Sequence, residues 1–152
     1  MSPLTRPIRI LCVDDNKDSA DSLVSLLTIY GYDALACYEG WSALAAVENE
    51  CPDACLLDLN MPGMDGDELA IKIQEQLPNC HIVFVALTAQ DSAASIERTR
   101  KAGFRYHLVK PVSPDALLVA LAPLDIGRAA TLARKAAASR QKTQPSGPLD
   151  MN

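Results

Sequence analysis

The sequence predicts an α/β domain, a doubly wound five-stranded parallel sheet of the (βα)5 kind. Three observations predict it. Five short apolar runs recur along the chain. Segments with helical spacing lie between them. The first and fourth runs are continuous rather than alternating, as strands covered on both faces should be. Strands that alternate with helices need crossover connections, and crossovers make the sheet parallel.

The first run is Ile8–Val13. After it, Ala20, Leu23, Val24 and Leu27 share one helical face, closed by Gly31. The second run, Ala34–Tyr38, leads to a face made of Ala43, Leu44 and Val47. The third, Ala54–Leu57, precedes Leu69, Ala70, Ile73 and Leu77, and Pro78 ends that helix. The fourth, Ile82–Leu87, is followed by a helix expected over Asp91–Ala102 and stopped by Gly103. The fifth, Tyr106–Val109, leads to a last helix with Ser113 as N-cap and Pro114 at its first position. There Leu117, Leu118 and Leu121 face inward.

The chain of 152 residues suits one domain with a short tail. The expected division is a lead over residues 1–7, a domain over 8–124 and a tail over 125–152, partly helical and then disordered. The formal net charge of −5, divided as +3 on the tail and −8 on the rest, argues against general nucleic-acid binding. No run approaches the ~18 apolar residues of a membrane span, and the N-terminus lacks the pattern of a signal peptide. The five cysteines show no CxxC spacing, so the simplest expectation is reduced thiols in the cytoplasm. A zinc site from Cys51, Cys55, Cys80 and His81 is disfavoured, because structural zinc ligands usually lie closer together on turns. After Val13 comes Asp-Asp-Asn-Lys-Asp rather than a glycine-rich turn, which argues against dinucleotide binding.

The polar residues fall in one place on this architecture. Asp14 and Asp15 follow the first strand, Asp58 ends the third, Thr88 follows the fourth and Lys110 the fifth. In a parallel sheet all of these lie at one edge, where open α/β sheets bind ligands. For the flavodoxin-like order 2-1-3-4-5, the crevice falls between Asp14/Asp15 and Asp58. Taken singly, Asp14 or Asp15 reads as a helix N-cap, Thr88 as a loop residue and Lys110 as a solvated charge. Together they are a constellation. Three carboxylates in one cleft repel each other unless a cation sits among them, and hard oxygen donors with room for water suit Mg²⁺. A carboxylate beside such an ion can attack phosphorus and form an acyl phosphate. Lys110 supplies counter-charge for the incoming group and Thr88 a hydroxyl.

At these residues the sequence resembles the receiver domain of two-component response regulators. The matching motifs are Val-Asp-Asp-Asn (13–16), Leu-Leu-Asp-Leu-Asn-Met-Pro-Gly-Met-Asp-Gly (56–66), Ala-Leu-Thr-Ala (86–89) and His-Leu-Val-Lys-Pro (107–111). The resemblance covers about Ile8 to Leu124. It implies that Asp58 accepts a phosphoryl group from a histidine kinase or His-phosphotransfer protein. It also implies that Asp15, Asp58 and the Asn60 backbone carbonyl hold Mg²⁺, with Asp14 acting through water. Thr88 and the residue at 107 would form the switch. The family usually carries Tyr or Phe where this chain has His107, and the neighbouring Tyr106 faces the other side of an alternating strand. Asn60 and Gln90 occupy the positions that tune the lifetime of the phosphoryl group, and both are neutral. The family also implies a cis peptide between Lys110 and Pro111.

Two other functions bear weighing. A phosphorylation-independent interaction module would not need the full set of site residues. An aspartyl-phosphate hydrolase of the dehalogenase type resembles D-x-D, and here Asn60 stands where its second acid would be. The expected partners are therefore a phosphohistidine donor and a downstream protein on the face of the fourth helix, fifth strand and fifth helix. No direct nucleic-acid or membrane partner is expected. The chain is expected to be a monomer or a phosphorylation-dependent dimer.

Overall fold

Asp58 and Thr88 each form the last residue of a strand, one position beyond the apolar run that predicts it. The computed structural model describes residues 6–89 and 92–125. The strands are β1 (Arg9–Val13), β2 (Asp33–Cys37), β3 (Ala54–Asp58), β4 (Val83–Thr88) and β5 (Tyr106–Val109). All neighbouring pairs are parallel, in the order β2-β1-β3-β4-β5. This is the predicted fold class and the predicted order.

The helices are α1 (Lys17–Ile29), α2 (Gly40–Ala46), α3 (Gly66–Gln76) and α4 (Ala93–Ala102), with a fifth, α5, over residues 114–125. Asn16 caps α1, its side chain accepting from the Ser19 N–H. Ser113 does the same for α5 toward the Ala116 N–H, at 3.1 Å. The helix expected from Asp91 begins at Ala93, with Ser92 as its cap, and Asp91 itself lies outside the described residues. Gly103 closes α4 in the left-handed conformation, with φ +92°.

Burial follows the sheet order. Every residue of the central strand β3 is buried, whereas the edge strand β2 alternates toward solvent. One apolar cluster joins Val13, Leu57 and Phe84 of the sheet to Leu44 of α2 and Leu69 and Ile73 of α3. Residues Pro7–Leu121 form one unit. The chain ends fall outside it, and the tail beyond residue 125 lies outside the described residues.

The cysteines require a correction. Cys12, Cys37 and Cys55 are free and buried, packing as small hydrophobes. Cys51 and Cys80, expected to be reduced, are instead joined as a disulfide. They are 29 residues apart in sequence, which hides the pairing. Yet they lie just before β3 and β4, which are neighbours in the sheet, and their Cα atoms stand 6.0 Å apart. Cys55 points into the core of β3, so the cysteine–histidine grouping does not form. Among the described residues no helix is long and apolar enough to cross a membrane.

Candidate functional site at the strand ends

Parallel pairing carries the acids together. Val13 pairs with Leu57 and Asp58 with Leu87, so the chain leaving β1 and the last residue of β3 meet at one edge of the sheet. A carboxylate oxygen from each of Asp14, Asp15 and Asp58 lies within 4.8 Å of the others. Asp14 is buried at 1% exposure and Asp58 at 6%, while Asp15 is exposed. The helix cap next door is Asn16, so Asp14 is free of that duty. Its Oδ1 accepts from the Asn16 N–H at 3.0 Å and its Oδ2 from Lys110 Nζ at 2.7 Å.

Lys110 spans the cleft. Its ammonium also stands 3.4 Å from Asp58 Oδ1. Burial weakens its hold on the proton, but Asp14 and Asp58 outweigh that and raise its pKa above the ordinary lysine value. Asp58 is pushed up from its ordinary 3.8 to about 7, first by burial and then by the Asp14 carboxylate, with Lys110 opposing. The Lys110 backbone N–H donates to the Thr88 carbonyl at 2.8 Å, and the Lys110–Pro111 peptide is cis. Thr88 itself is buried at 1% exposure. A cleft of about 570 Å³ opens beside Asp14 and Lys110, walled by Ser19, Ser22 and Leu26 of α1.

The loop from β3 to α3 folds back on its own strand. The Leu59 N–H donates to Leu87, and the Gly66 N–H donates to the Leu59 carbonyl at 2.9 Å. A side chain at position 66 would collide with the Asp58 carbonyl oxygen, so only glycine lets α3 start there. Met61 and Met64 are buried beneath this loop. Asn60, by contrast, is exposed at its rim.

The structure therefore brings Asp14, Asp15, Asp58, Thr88 and Lys110 together at the strand ends, with Asn60 at the rim. His107 is half-buried on β5, paired in register with Ala86 rather than at the strand tip. Gln90 lies outside the described residues. Two residues escape the sequence reading. Gly66 carries a weak signal, an Asp-Gly step ahead of a helical pattern. Arg98 is the other: nothing in the sequence pairs it with Asp67 of α3, yet it bonds Asp67 through Nη2 at 2.7 Å and Nε at 3.2 Å.

A profile described as "Response regulator receiver domain" matches residues 10–122. The chain belongs to that family. The receiver is 35% identical over 116 residues to the sensor histidine kinase GacS of Pseudomonas protegens, covering 74% of this chain and 13% of that protein. It is 34% identical over 118 residues to the response regulator MprA of a Mycobacterium species, covering 78% and 50% respectively. The chain thus spans half or less of the length of these curated relatives. Among solved structures it is similar to the chemotaxis protein CheY4 of Vibrio cholerae. The TM-score is 0.71 and the identity 27%, with 78% of this chain and 98% of that one covered. A receiver domain protein of Methanospirillum hungatei aligns with a TM-score of 0.73 at 28% identity, covering 83% and 99%. The receiver is thus a phosphoacceptor domain of two-component signalling, and its acidic cluster fits that role.

Proposed function

We propose that Asp58 is the phosphoacceptor, that its donor is a phosphohistidine on a kinase or phosphotransfer protein, and that residues 8–124 are the receiver with an appended tail. One observation carries this reading. A buried carboxylate at a strand end faces two further carboxylates and one ammonium, at 2.7 and 3.4 Å from its acids, beside an open cleft.

The chemistry follows from those contacts. An Asp58 oxygen attacks phosphorus, an O–P bond forms, and the P–N bond to the donor imidazole breaks. The bonding pair leaves with the imidazole nitrogen, which takes up a proton. Lys110 pairs with the arriving phosphoryl oxygens and the Thr88 hydroxyl donates to one of them. Lys110 lines the cleft beforehand, already paired with Asp14 and Asp58, while the Thr88 hydroxyl swings toward the phosphoryl oxygen. Burial first, and then the neighbouring Asp14 carboxylate, raise the pKa of Asp58, and the all-oxygen donor set of Asp14, Asp15 and Asp58 fits Mg²⁺. Asp15, Asp58 and the Asn60 carbonyl would hold Mg²⁺, with Asp14 through water, and its positive charge would offset that of the phosphoryl oxygens. The domain turns over only its own phosphoryl group. With Asn60 two residues beyond Asp58, no second acid is present there to protonate a leaving alcohol.

Downstream, Thr88 and His107 are the switch residues, and a partner protein docks on α4, β5 and α5. Ile96, Val109 and Val119 are exposed apolar groups on those three elements. A phosphohistidine donor places the chain in the cytoplasm, where thiol reductants would open the Cys51–Cys80 bond. The test is phosphate incorporation from acetyl phosphate with Mg²⁺. Wild type takes up one hydroxylamine-labile phosphoryl group and Asp58→Asn takes up none; equal incorporation by the variant sinks the assignment.

A further inference from the structure

Arg98 sits on α4, yet most of its polar contacts lie on the far side of the α3–α4 interface. Its guanidinium takes both oxygens of Asp67, at 2.7 and 3.2 Å, and stands 3.6 Å from Asp65 Oδ2. Asp65 is in turn tied to the loop, its Oδ1 accepting from the Met61 N–H at 3.2 Å. With Nε and Nη2 so engaged, Nη1 faces Asn60 Oδ1 at 3.5 Å. Such a forked, two-point anchor fixes the plane of the guanidinium, which a lysine could not do.

Asn60 is the exposed residue two positions beyond Asp58, in the loop that follows β3. Hydrolysis of an acyl phosphate needs a water in line with phosphorus, and an acceptor oxygen nearby can orient that water. The Asn60 side-chain carbonyl is a neutral acceptor in this loop. We infer that Arg98 is a positioning residue that prolongs the life of the phosphorylated state. It does so by turning the Asn60 carbonyl toward α4, where it cannot orient water for attack on the phosphoryl group. The inference rests on Asp58 as phosphoacceptor. It makes α4 a participant in the timing of the signal as well as in partner docking, because any movement of α4 that parts Arg98 from Asn60 frees the carbonyl.

The test uses the full chain labelled with radioactive phosphoramidate and Mg²⁺, freed of donor, with loss of label followed over time. Arg98→Ala shortens the lifetime about threefold to tenfold, the scale of one oriented hydrogen bond. Arg98→Lys shortens it similarly while keeping an ion pair to Asp67, and thermal melts establish that both variants are folded. Asn60→Ala removes the acceptor, so adding Arg98→Ala to it changes the lifetime no further. Unchanged lifetimes in both Arg98 variants, or equal shortening with Asn60 already removed, overturn the inference. A wild-type chain that takes up no label overturns the Asp58 assignment instead, before any Arg98 comparison is made.

Discussion

Asp58 ends a fully buried strand with Asp14 beside it and a single ammonium between them. Its pKa is raised in the fold, so between about pH 4 and about 7 the folded state keeps a proton that the unfolded chain has released. Without divalent cations, this contribution to stability is complete below about pH 4 and is lost as pH rises to about 7 and beyond. In chelator at pH 8, Asp58→Asn should therefore raise the melting temperature, by the equivalent of about 1–3 kcal/mol, and the gain should shrink toward pH 4. A variant less stable than wild type at pH 8 would contradict this. The acids and Lys110 were legible because parallel strand order alone dictates which residues share an edge. Arg98 was not. The pairs of Glu97 with Arg100 and Lys101 could be read from helical spacing, but Asp67 lies 31 residues away.

At the scale of elements, the strands and the end of β3 at Asp58 were legible, whereas β4 runs one residue further than the sequence indicates. β3 and β4 each run one residue further than their apolar run, onto Asp58 and Thr88. The backbone ladder continues there, with Leu59 N–H on Leu87 and Lys110 N–H on Thr88, because pairing does not depend on side-chain polarity. The same loop makes Gly66 an exacting position. Gly66→Ala should cost about 2–3 kcal/mol in chemical denaturation, since its methyl group meets strand backbone and not a flexible side chain. If its denaturation midpoint matches wild type, the close approach of α3 to β3 is not needed for stability. Helix caps carry less. Ser113→Ala should cost about 1 kcal/mol.

Across the whole molecule, topology brings distant segments together in ways composition does not announce. Cys51 and Cys80 meet only because β3 and β4 are neighbours, so the pairing was invisible while the strand order was not. Closing a loop of 29 residues should stabilise the fold by roughly 3–4 kcal/mol through the unfolded chain. Cys51→Ser should lower the denaturation midpoint accordingly, and reduction of wild type should add two hydrogens by mass spectrometry. No change of mass on reduction would exclude the bond. The disulfide also offers a practical handle. It lies at the opposite end of β3 from Asp58, roughly 16 Å along a five-residue strand, while the other three cysteines are buried. In a Cys80→Ser variant, the exposed Cys51 thiol can take a fluorophore with Cys12, Cys37 and Cys55 left unlabelled in the core. A dye there would sit outside the path of an approaching donor, so single molecules could be watched as they gain and lose phosphate.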